Sequence, residues 1–169
     1  GYQFDDNAIN FIRANAKTLD SMIIHSNDFL YNYNGVVTLF NAYLHKIDGV
    51  IHDRPQYMLM RIAIMLYAFP EMQTVLDGLQ PPTNNPLVSI KECYKVFSRR
   101  LATHGTPTLF NACMNLQNCV SCFLLKVHDS LQGIEKSGFD AAVISKCAGG
   151  IGKSLSSVRP ANSLINGTR

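Results

Sequence analysis

The sequence predicts a helix-rich N-terminal domain followed by a strand–helix–strand unit that opens an α/β domain. Up to Gly105, apolar side chains recur at steps of three and four residues, the spacing of one helix face. Beyond Gly105, two short apolar runs flank a helical stretch, the order of the smallest parallel-sheet unit. Hydrophobic residues make up 47% of the chain and charged residues 16%, so we expect a packed core rather than disorder.

The first predicted helix follows the pair Asp5-Asp6, because a carboxylate there accepts hydrogen bonds from the free N–H groups of a helix start. Its apolar positions fit one helix face: Ile9, Ile12, Ala16, Leu19 and Ile23. Residues 32–35 interrupt the pattern and residues 36–44 resume it. The dipeptide Asp48-Gly49 is typical of a turn.

Two further helices are predicted in the N-terminal half. Pro55 suits the first position of one helix, which Pro70 ends nearby. Residues 80–86 are typical of a loop and are the most favourable place for an insertion. Ser89 and Glu92 have the spacing of a capping box, so we expect the next helix to begin there. Its expected inward positions are Ile90, Cys93, Phe97 and Leu101.

The second half begins with Thr106-Pro107-Thr108, which we expect to be extended or turning because proline disfavours a helical conformation in the preceding residue. Residues 122–127 form a run of strand length. Asp129-Ser130 can cap a helix reaching about Lys146, and residues 154–158 are the second expected strand. We therefore expect residues 1–105 to be the helical domain and residues 106–169 to start the α/β domain.

Several classes of protein are disfavoured by the composition. No apolar run reaches the roughly 18 residues of a membrane span, and a net charge of +3 is too small and scattered to indicate nucleic-acid binding. Five cysteines without a secretion signal favour reduced thiols in the cytoplasm. The chain begins with Gly1 rather than Met and stops just after a strand-like segment, so we expect a piece of a longer protein.

The cysteines are the clearest candidates for chemistry. Cys113, Cys119 and Cys122 lie close together in sequence, and Cys119 and Cys122 form a CxxC pair. A zinc site would need further ligands, for which Cys147 and His104 are available at no recognised spacing. Buried structural thiols are the simpler interpretation, and a redox-active thiol is the other.

Three features suit an anionic ligand, each with a structural alternative. Glycines at residues 149–152 let a backbone approach a phosphate or ribose, or simply form a tight turn. Asp129-Ser130 at a helix start suits an anion, or is an ordinary cap. Arg159 could meet a phosphate with its guanidinium fork, or be solvated. The residues alone predict a redox thiol beside a phosphate-binding surface.

Longer motifs carry a family resemblance. Residues 103–112, THGTPTLFNA, resemble the "ATPTLFNAG" segment of the large, catalytic subunit of class I ribonucleotide reductases, and residues 121–125, SCFLL, resemble its "SSCFLL". Residues 144–152, ISKCAGGIG, resemble "ISKSAGGIG", and residues 54–61, RPQYMLMR, resemble "ERPQHMLMR". Val158, Arg159, Ser163, Gly167 and Thr168 match part of "IRATGSYIAGT".

This resemblance implies a fragment of the enzyme that reduces ribonucleoside diphosphates to deoxyribonucleoside diphosphates, with the α/β part opening a ten-stranded barrel. In the family a thiyl radical takes the 3′ hydrogen, and a cysteine pair supplies two electrons and becomes a disulfide. Cys122 matches the first cysteine of that pair, whose partner comes from far downstream in the family. We therefore expect the isolated chain to be inactive.

The resemblance also implies roles for other residues. It places Thr106, Ser121 and Gly150 on the substrate. Around an allosteric deoxynucleotide it places Asp129, Ser130, Leu131, Lys146, Arg159, Asn166 and Gly167. No metal or cofactor is expected on this chain itself: ATP and deoxynucleotides act as effectors, and a small subunit with a di-metal centre supplies the radical. Further implied partners are a second copy of the large subunit and thioredoxin or glutaredoxin as reductant.

The sequence departs from the family at several positions. Cys113 and Cys119 replace a glycine and a leucine, and Val120 stands where a second serine is usual. Gly138 falls inside the helix expected at the dimer interface. The alternative hypothesis is a non-enzymatic descendant that acts as an interaction or regulatory module.

Overall fold

The computed structural model of the chain describes residues 3–69, 85–115, 118–146 and 149–165. They divide into two compact units, Gly1–Cys119 and Val120–Arg169. The first unit is helical, and the second is a parallel two-stranded sheet with one crossover helix. This confirms the predicted fold class, with no closed barrel among the described residues. No described helix is long and apolar enough to cross a membrane.

The described residues of the first unit form five helices, a small hairpin and two irregular turns. The helices are α1 (Asp6–Met22), α2 (Tyr33–Thr38), α3 (Pro55–Ala68), α4 (Pro86–Ser98) and α5 (Thr106–Asn111). A 3₁₀ turn, His25–Leu30, precedes α2, and a π-helical turn, Leu39–Tyr43, follows it. The hairpin strands are β1 (Lys46–Ile47) and β2 (Val50–Ile51).

Short-range signals place three of these elements as predicted. The Asp5 carboxylate accepts hydrogen bonds from the N–H groups of Asn7 and Ala8 at 3.0 and 3.2 Å and so caps α1. Asp48 and Gly49 have φ values of 50° and 81°, the left-handed backbone of a tight hairpin turn. Pro55 is the first residue of α3, where its missing N–H costs no hydrogen bond.

Two predicted helix boundaries are wrong. The helix expected to begin at Ser89 begins at Pro86, because the Asn85 side chain caps it by accepting from the Leu87 N–H at 3.0 Å. Ser89 is instead buried inside α4. The segment expected to be extended at Thr106-Pro107-Thr108 is the start of α5, since proline is tolerated in a first helical turn.

The core of the first unit surrounds α3. This helix is apolar and buried nearly all round, as a central helix should be, and it packs against α1, α4 and α5. Two polar groups are buried with it. The Gln56 side-chain oxygen accepts hydrogen bonds from the hydroxyls of Tyr94 at 2.8 Å and Ser98 at 2.6 Å. Arg61 forms a buried ion pair of 2.6 Å with Asp53.

The second unit consists of β3 (Cys122–Lys126), α6 (Leu131–Lys146) and β4 (Gly150–Ser154). The strands are parallel, with Cys122 opposite Gly150 and Lys126 opposite Ser154. The second strand was predicted at residues 154–158. It begins earlier because the glycine segment itself pairs with β3, and residues 156–157 form a turn.

The two compact units divide later than the domain boundary predicted after Gly105. The reason is that α5 packs against α3, so it belongs with the helices of the first unit. The loop predicted at residues 80–86 lies almost entirely outside the described residues, as does Pro70.

Candidate active site

The candidate catalytic thiol lies at the first residue of β3. Cys122 is exposed, and its Sγ lies 3.6 Å from the hydroxyl oxygen of Ser121. The Gly150 N–H donates a hydrogen bond of 2.7 Å to the carbonyl oxygen of Ser121, which holds the facing strand against this position. The strand pairing therefore brings together three of the predicted site residues: Ser121, Cys122 and Gly150.

Gly150 is exposed beside this thiol and places no side chain there. A Cβ atom at Gly150 would lie 3.2 Å from the Ser121 carbonyl oxygen and 3.9 Å from Cys122 Sγ. The neighbouring Gly149 has a different role, because a Cβ there would lie only 2.6 Å from Ile144 and 2.9 Å from the Phe123 ring. The glycine segment thus combines an open edge beside the thiol with close packing of α6 on β3.

The other described cysteines lie in environments that oppose thiolate formation. Burial raises the pKa of the Cys113 thiol to about 12, although the Arg61 guanidinium opposes the rise. Burial likewise raises the pKa of Cys93 to about 11 and raises that of Cys119. Since the thiolate is the reactive form, Cys122 is the best placed of these thiols for redox chemistry by virtue of its exposure.

The described residues contain no group of three or more His, Cys, Asp or Glu side chains that could hold a metal ion. Cys147, one of the ligands considered for such a site, lies outside the described residues.

A second group of predicted residues meets at the start of α6. The Arg159 Nε donates to both carboxylate oxygens of Asp129, at 2.8 and 3.0 Å, and its Nη1 donates to the Leu164 carbonyl at 2.9 Å. The Ser130 hydroxyl oxygen accepts from the Gly133 N–H at 3.0 Å. Leu131 is the first residue of α6 and is exposed. Asp129, Ser130, Leu131 and Arg159 therefore form one surface, where the N–H groups of the helix start suit an anion and the Arg159 guanidinium is paired with the Asp129 carboxylate.

Lys146 lies at the opposite end of α6, about 20 Å from the Asp129–Arg159 pair at 1.5 Å per residue. The chain therefore does not bring Lys146 to the surface formed by the other predicted effector residues. Asn166 and Gly167 lie outside the described residues.

Thr106, the remaining predicted substrate residue, lies in the first unit at the start of α5. Its exposed hydroxyl is 3.1 Å from the hydroxyl of Tyr43. The α5 helix is fixed by side-chain hydrogen bonds to the following segment: Thr108 donates to the Cys119 carbonyl at 3.0 Å and Asn111 to that of Asn118 at 2.7 Å. The helix that carries Thr106 therefore has a well-defined position within its unit.

Comparison with known proteins identifies the family. Residues 29–117 match the family described as "Ribonucleotide reductase, all-alpha domain", and residues 120–169 match "Ribonucleotide reductase, barrel domain". The chain belongs to the ribonucleotide reductase large-subunit family. The ribonucleoside-diphosphate reductase large subunit of Arabidopsis thaliana is 39% identical over 164 residues, which cover 96% of this chain. The vaccinia virus and Danio rerio large subunits are 42% and 37% identical over 89% and 95% of it.

The chain spans 18% of the length of each of these three relatives. The two ribonucleotide reductase matches adjoin between residues 117 and 120, where the compact units also divide. The helical unit thus corresponds to the all-alpha domain and the strand–helix–strand unit to the beginning of the barrel domain.

One departure from the ribonucleotide reductase motif has a structural consequence. Cys113, which stands where the motif has glycine, adopts a φ of 62°. That left-handed conformation favours glycine, and a cysteine there carries a modest conformational cost. The Cys113 thiol offsets part of it by donating to the Arg61 carbonyl at 3.2 Å.

The sequence did not indicate one residue beside the predicted site. Tyr43 contacts Thr106 although 63 positions separate them, and no local pattern foretells such a contact. The π-helical turn that places Tyr43 has no sequence signal either, because the segment has ordinary helical spacing.

Proposed function

We propose that this chain is the part of a ribonucleoside-diphosphate reductase large subunit that supplies one of two redox-active cysteines, together with contacts to the substrate and to an allosteric nucleotide. The observation that carries the proposal is the exposed Cys122 thiol at the start of β3, beside the Ser121 hydroxyl and the open edge at Gly150. Strand pairing fixes this thiol's backbone, which suits a group that must meet a ribose at a defined place.

The proposed reaction converts a ribonucleoside diphosphate and two thiols into a deoxyribonucleoside diphosphate, a disulfide and water. A thiyl radical elsewhere in the protein takes the 3′ hydrogen atom and returns a hydrogen atom at the end of the turnover. The 2′ hydroxyl leaves as water. Cys122 and a partner cysteine outside this chain supply two hydrogen atoms, and an S–S bond forms between them.

The substrate contacts proposed for this chain are two hydroxyls and one backbone edge. Ser121 lies beside the thiol, and its hydroxyl can hydrogen-bond the ribose. Gly150 lets the backbone approach the substrate because it has no Cβ. Thr106 offers an exposed hydroxyl on a firmly held helix.

The surface at the start of α6 is the proposed binding site for an ATP or deoxynucleotide effector. Asp129 can accept hydrogen bonds from ribose or base, and the helix start with Ser130 suits phosphate, beside the Arg159 guanidinium that pairs with Asp129. Leu131 offers an exposed apolar contact for the base. Lys146, Asn166 and Gly167 complete the proposed set by resemblance alone.

The proposed partners follow from the same family. Exposed apolar side chains on α6 suit pairing with a second large subunit: Leu131, Ile134, Phe139 and Val143. A small subunit with a di-metal centre would supply the radical, and thioredoxin or glutaredoxin would reduce the disulfide in the cytoplasm. We also propose that these 169 residues alone do not turn over, since the radical and partner cysteines have no match in them.

The test is Cys122→Ser in the complete large subunit that contains this segment, assayed with its small subunit and a thioredoxin system. We expect turnover to be lost, because serine cannot form the disulfide that supplies the electrons. Cys93→Ser is the matched control: its thiol is half-buried on α4, and activity should be retained.

Three results would contradict parts of the proposal. Sustained nucleotide reduction by Cys122→Ser would remove Cys122 from the redox pair. Absence of nucleotide reduction by the unaltered, correctly assembled protein would overturn the enzymatic function and leave the interaction-module hypothesis. Turnover by the isolated 169 residues would overturn the proposal that they are inactive alone.

A further inference from the structure

Tyr43 occupies an unusual position next to Thr106. Its hydroxyl lies 3.1 Å from the Thr106 hydroxyl, and both are accessible to solvent. Its ring stacks on that of Phe110, with centroids 4.8 Å apart and planes inclined by 9°. Phe110 is itself 39% exposed. The tyrosine is thus held by one face of its ring, and its polar end meets the hydroxyl of a predicted substrate residue.

The backbone that delivers Tyr43 is irregular. Tyr43 is the last residue of the π-helical turn Leu39–Tyr43, in which the Leu44 N–H donates to the Leu39 carbonyl at 2.9 Å. A π turn contains one residue more than an α turn, and an added residue rotates the following side chains by about 100°. The direction of the Tyr43 side chain therefore depends on this turn, a feature found often at functional sites.

The hydroxyl pair has a preferred direction. Either hydroxyl could donate at this distance, but a phenol is a stronger hydrogen-bond donor than an aliphatic alcohol, which favours the arrangement in which Tyr43 donates and Thr106 accepts. The hydrogen of the Thr106 hydroxyl is then free to point at another acceptor, and hydrogen bonds in such a chain strengthen one another. An anionic oxygen of a nucleoside diphosphate is an acceptor of the right chemistry.

We propose that Tyr43 is a positioning residue, which orients the Thr106 hydroxyl as a donor to an oxygen of the nucleoside diphosphate. The inference rests on the proposed function, in which Thr106 contacts the substrate. Tyr43 acts through Thr106 and takes no part in the redox step, so its contribution is to substrate binding and not to the rate of chemistry.

The test is Tyr43→Phe in the complete large subunit, assayed with its small subunit over a range of ribonucleoside diphosphate concentrations. Phenylalanine keeps the ring and its stacking on Phe110 and removes only the hydroxyl. We expect KM to rise about 5-fold with kcat unchanged, the effect of losing one hydrogen bond that serves ground state and transition state alike. Tyr33→Phe, on an 81% exposed tyrosine of α2, is the matched control and should leave KM unchanged.

A double-mutant cycle shows whether Tyr43 acts through Thr106. Thr106→Val should raise KM, and adding Tyr43→Phe should raise it no further. Thr106→Ser keeps the hydroxyl, so Tyr43→Phe should retain its effect in that background. A KM rise from Thr106→Val with none from Tyr43→Phe would overturn the positioning role while leaving the proposed function intact. Fully additive effects of Tyr43→Phe and Thr106→Val on KM would also overturn the positioning role. An unaltered enzyme that reduces no nucleotide would instead overturn the proposed function itself.

Discussion

The two compact units differ in how completely they bury their own apolar side chains. In Gly1–Cys119, α3 is enclosed by other helices and most of its side chains are buried. Among the described residues of Val120–Arg169, only Val127 and Ser137 are buried, while Leu124 is 90% exposed. Burying apolar surface drives folding. The helical unit therefore contains its own core, whereas the strand–helix–strand unit depends on further packing to cover its apolar side chains.

The largest expected effect on stability comes from Arg61 in the core of the helical unit. Arg61 and Asp53 are 6% and 7% exposed and pair at 2.6 Å, and Arg61 also donates to the Ala112 carbonyl at 2.9 Å. Arg61→Ala should lower the free energy of unfolding by about 3–5 kcal/mol, because it leaves the Asp53 charge buried without a partner. Urea unfolding followed by circular dichroism measures the change.

A more exposed ion pair in the same unit serves as the control. Arg54 pairs with Asp28 at 2.8 Å but is half-exposed. Arg54→Ala should cost no more than about 1 kcal/mol, since water screens and replaces the lost contact. Equal losses from Arg54→Ala and Arg61→Ala would show that burial of the Arg61–Asp53 pair in the helical core adds nothing to its contribution to stability.

The helical unit was predictable where the signals are local. Asp5, Asp48-Gly49 and Pro55 each act within four residues of the feature they specify, so the sequence alone indicates a cap, a turn and a helix start. Ser89 was misassigned because two local signals compete, and the one at Asn85 forms. Pro107 was misassigned because proline is compatible with both a turn and the first turn of a helix.

The candidate site was predictable only in part, since its long-range contacts have no local signature. The motif resemblance indicated Ser121, Cys122 and Gly150, and strand pairing brings all three together. It could not indicate the contact of Tyr43 with Thr106, which depends on an irregular turn and on the packing of separate helices.

Alanine substitutions at two glycines test whether any part of the strand–helix–strand unit is tightly packed. Gly149 has no room for a Cβ, which would lie 2.6 Å from Ile144 and 2.9 Å from Phe123. Gly149→Ala should therefore destabilise this unit by about 1–3 kcal/mol through overpacking. Amide hydrogen exchange in β3 and β4 measures the loss.

Gly138, in the interior of α6, is the control. A Cβ at Gly138 would meet nothing within 4 Å, so Gly138→Ala should stabilise α6 by up to about 1 kcal/mol through helix propensity. Equal protection of the β3 and β4 amides from hydrogen exchange in the two variants would contradict this prediction. It would mean that the close contact of α6 with the sheet does not contribute to the stability of the strand–helix–strand unit.

The smallest expected effect is a pH dependence that belongs to the buried thiols of the helical unit. Burial raises the pKa of Cys113 to about 12 in the folded protein, whereas an unfolded cysteine ionises near pH 8.5. Well below pH 8.5 the thiol is protonated in both states and contributes no pH dependence. From about pH 8 to about pH 12 the unfolded state loses the proton while the folded state keeps it, so stability falls as pH rises. Raising the pH from 7 to 9 should therefore lower the free energy of unfolding by about 0.5–1 kcal/mol through Cys113.

The test variant is Cys113→Ala, which keeps a side chain at the same left-handed backbone position. It should lose the part of the pH dependence that Cys113 contributes. An identical fall in the variant would show that the Cys113 thiol ionises as readily in the folded core as in the unfolded chain.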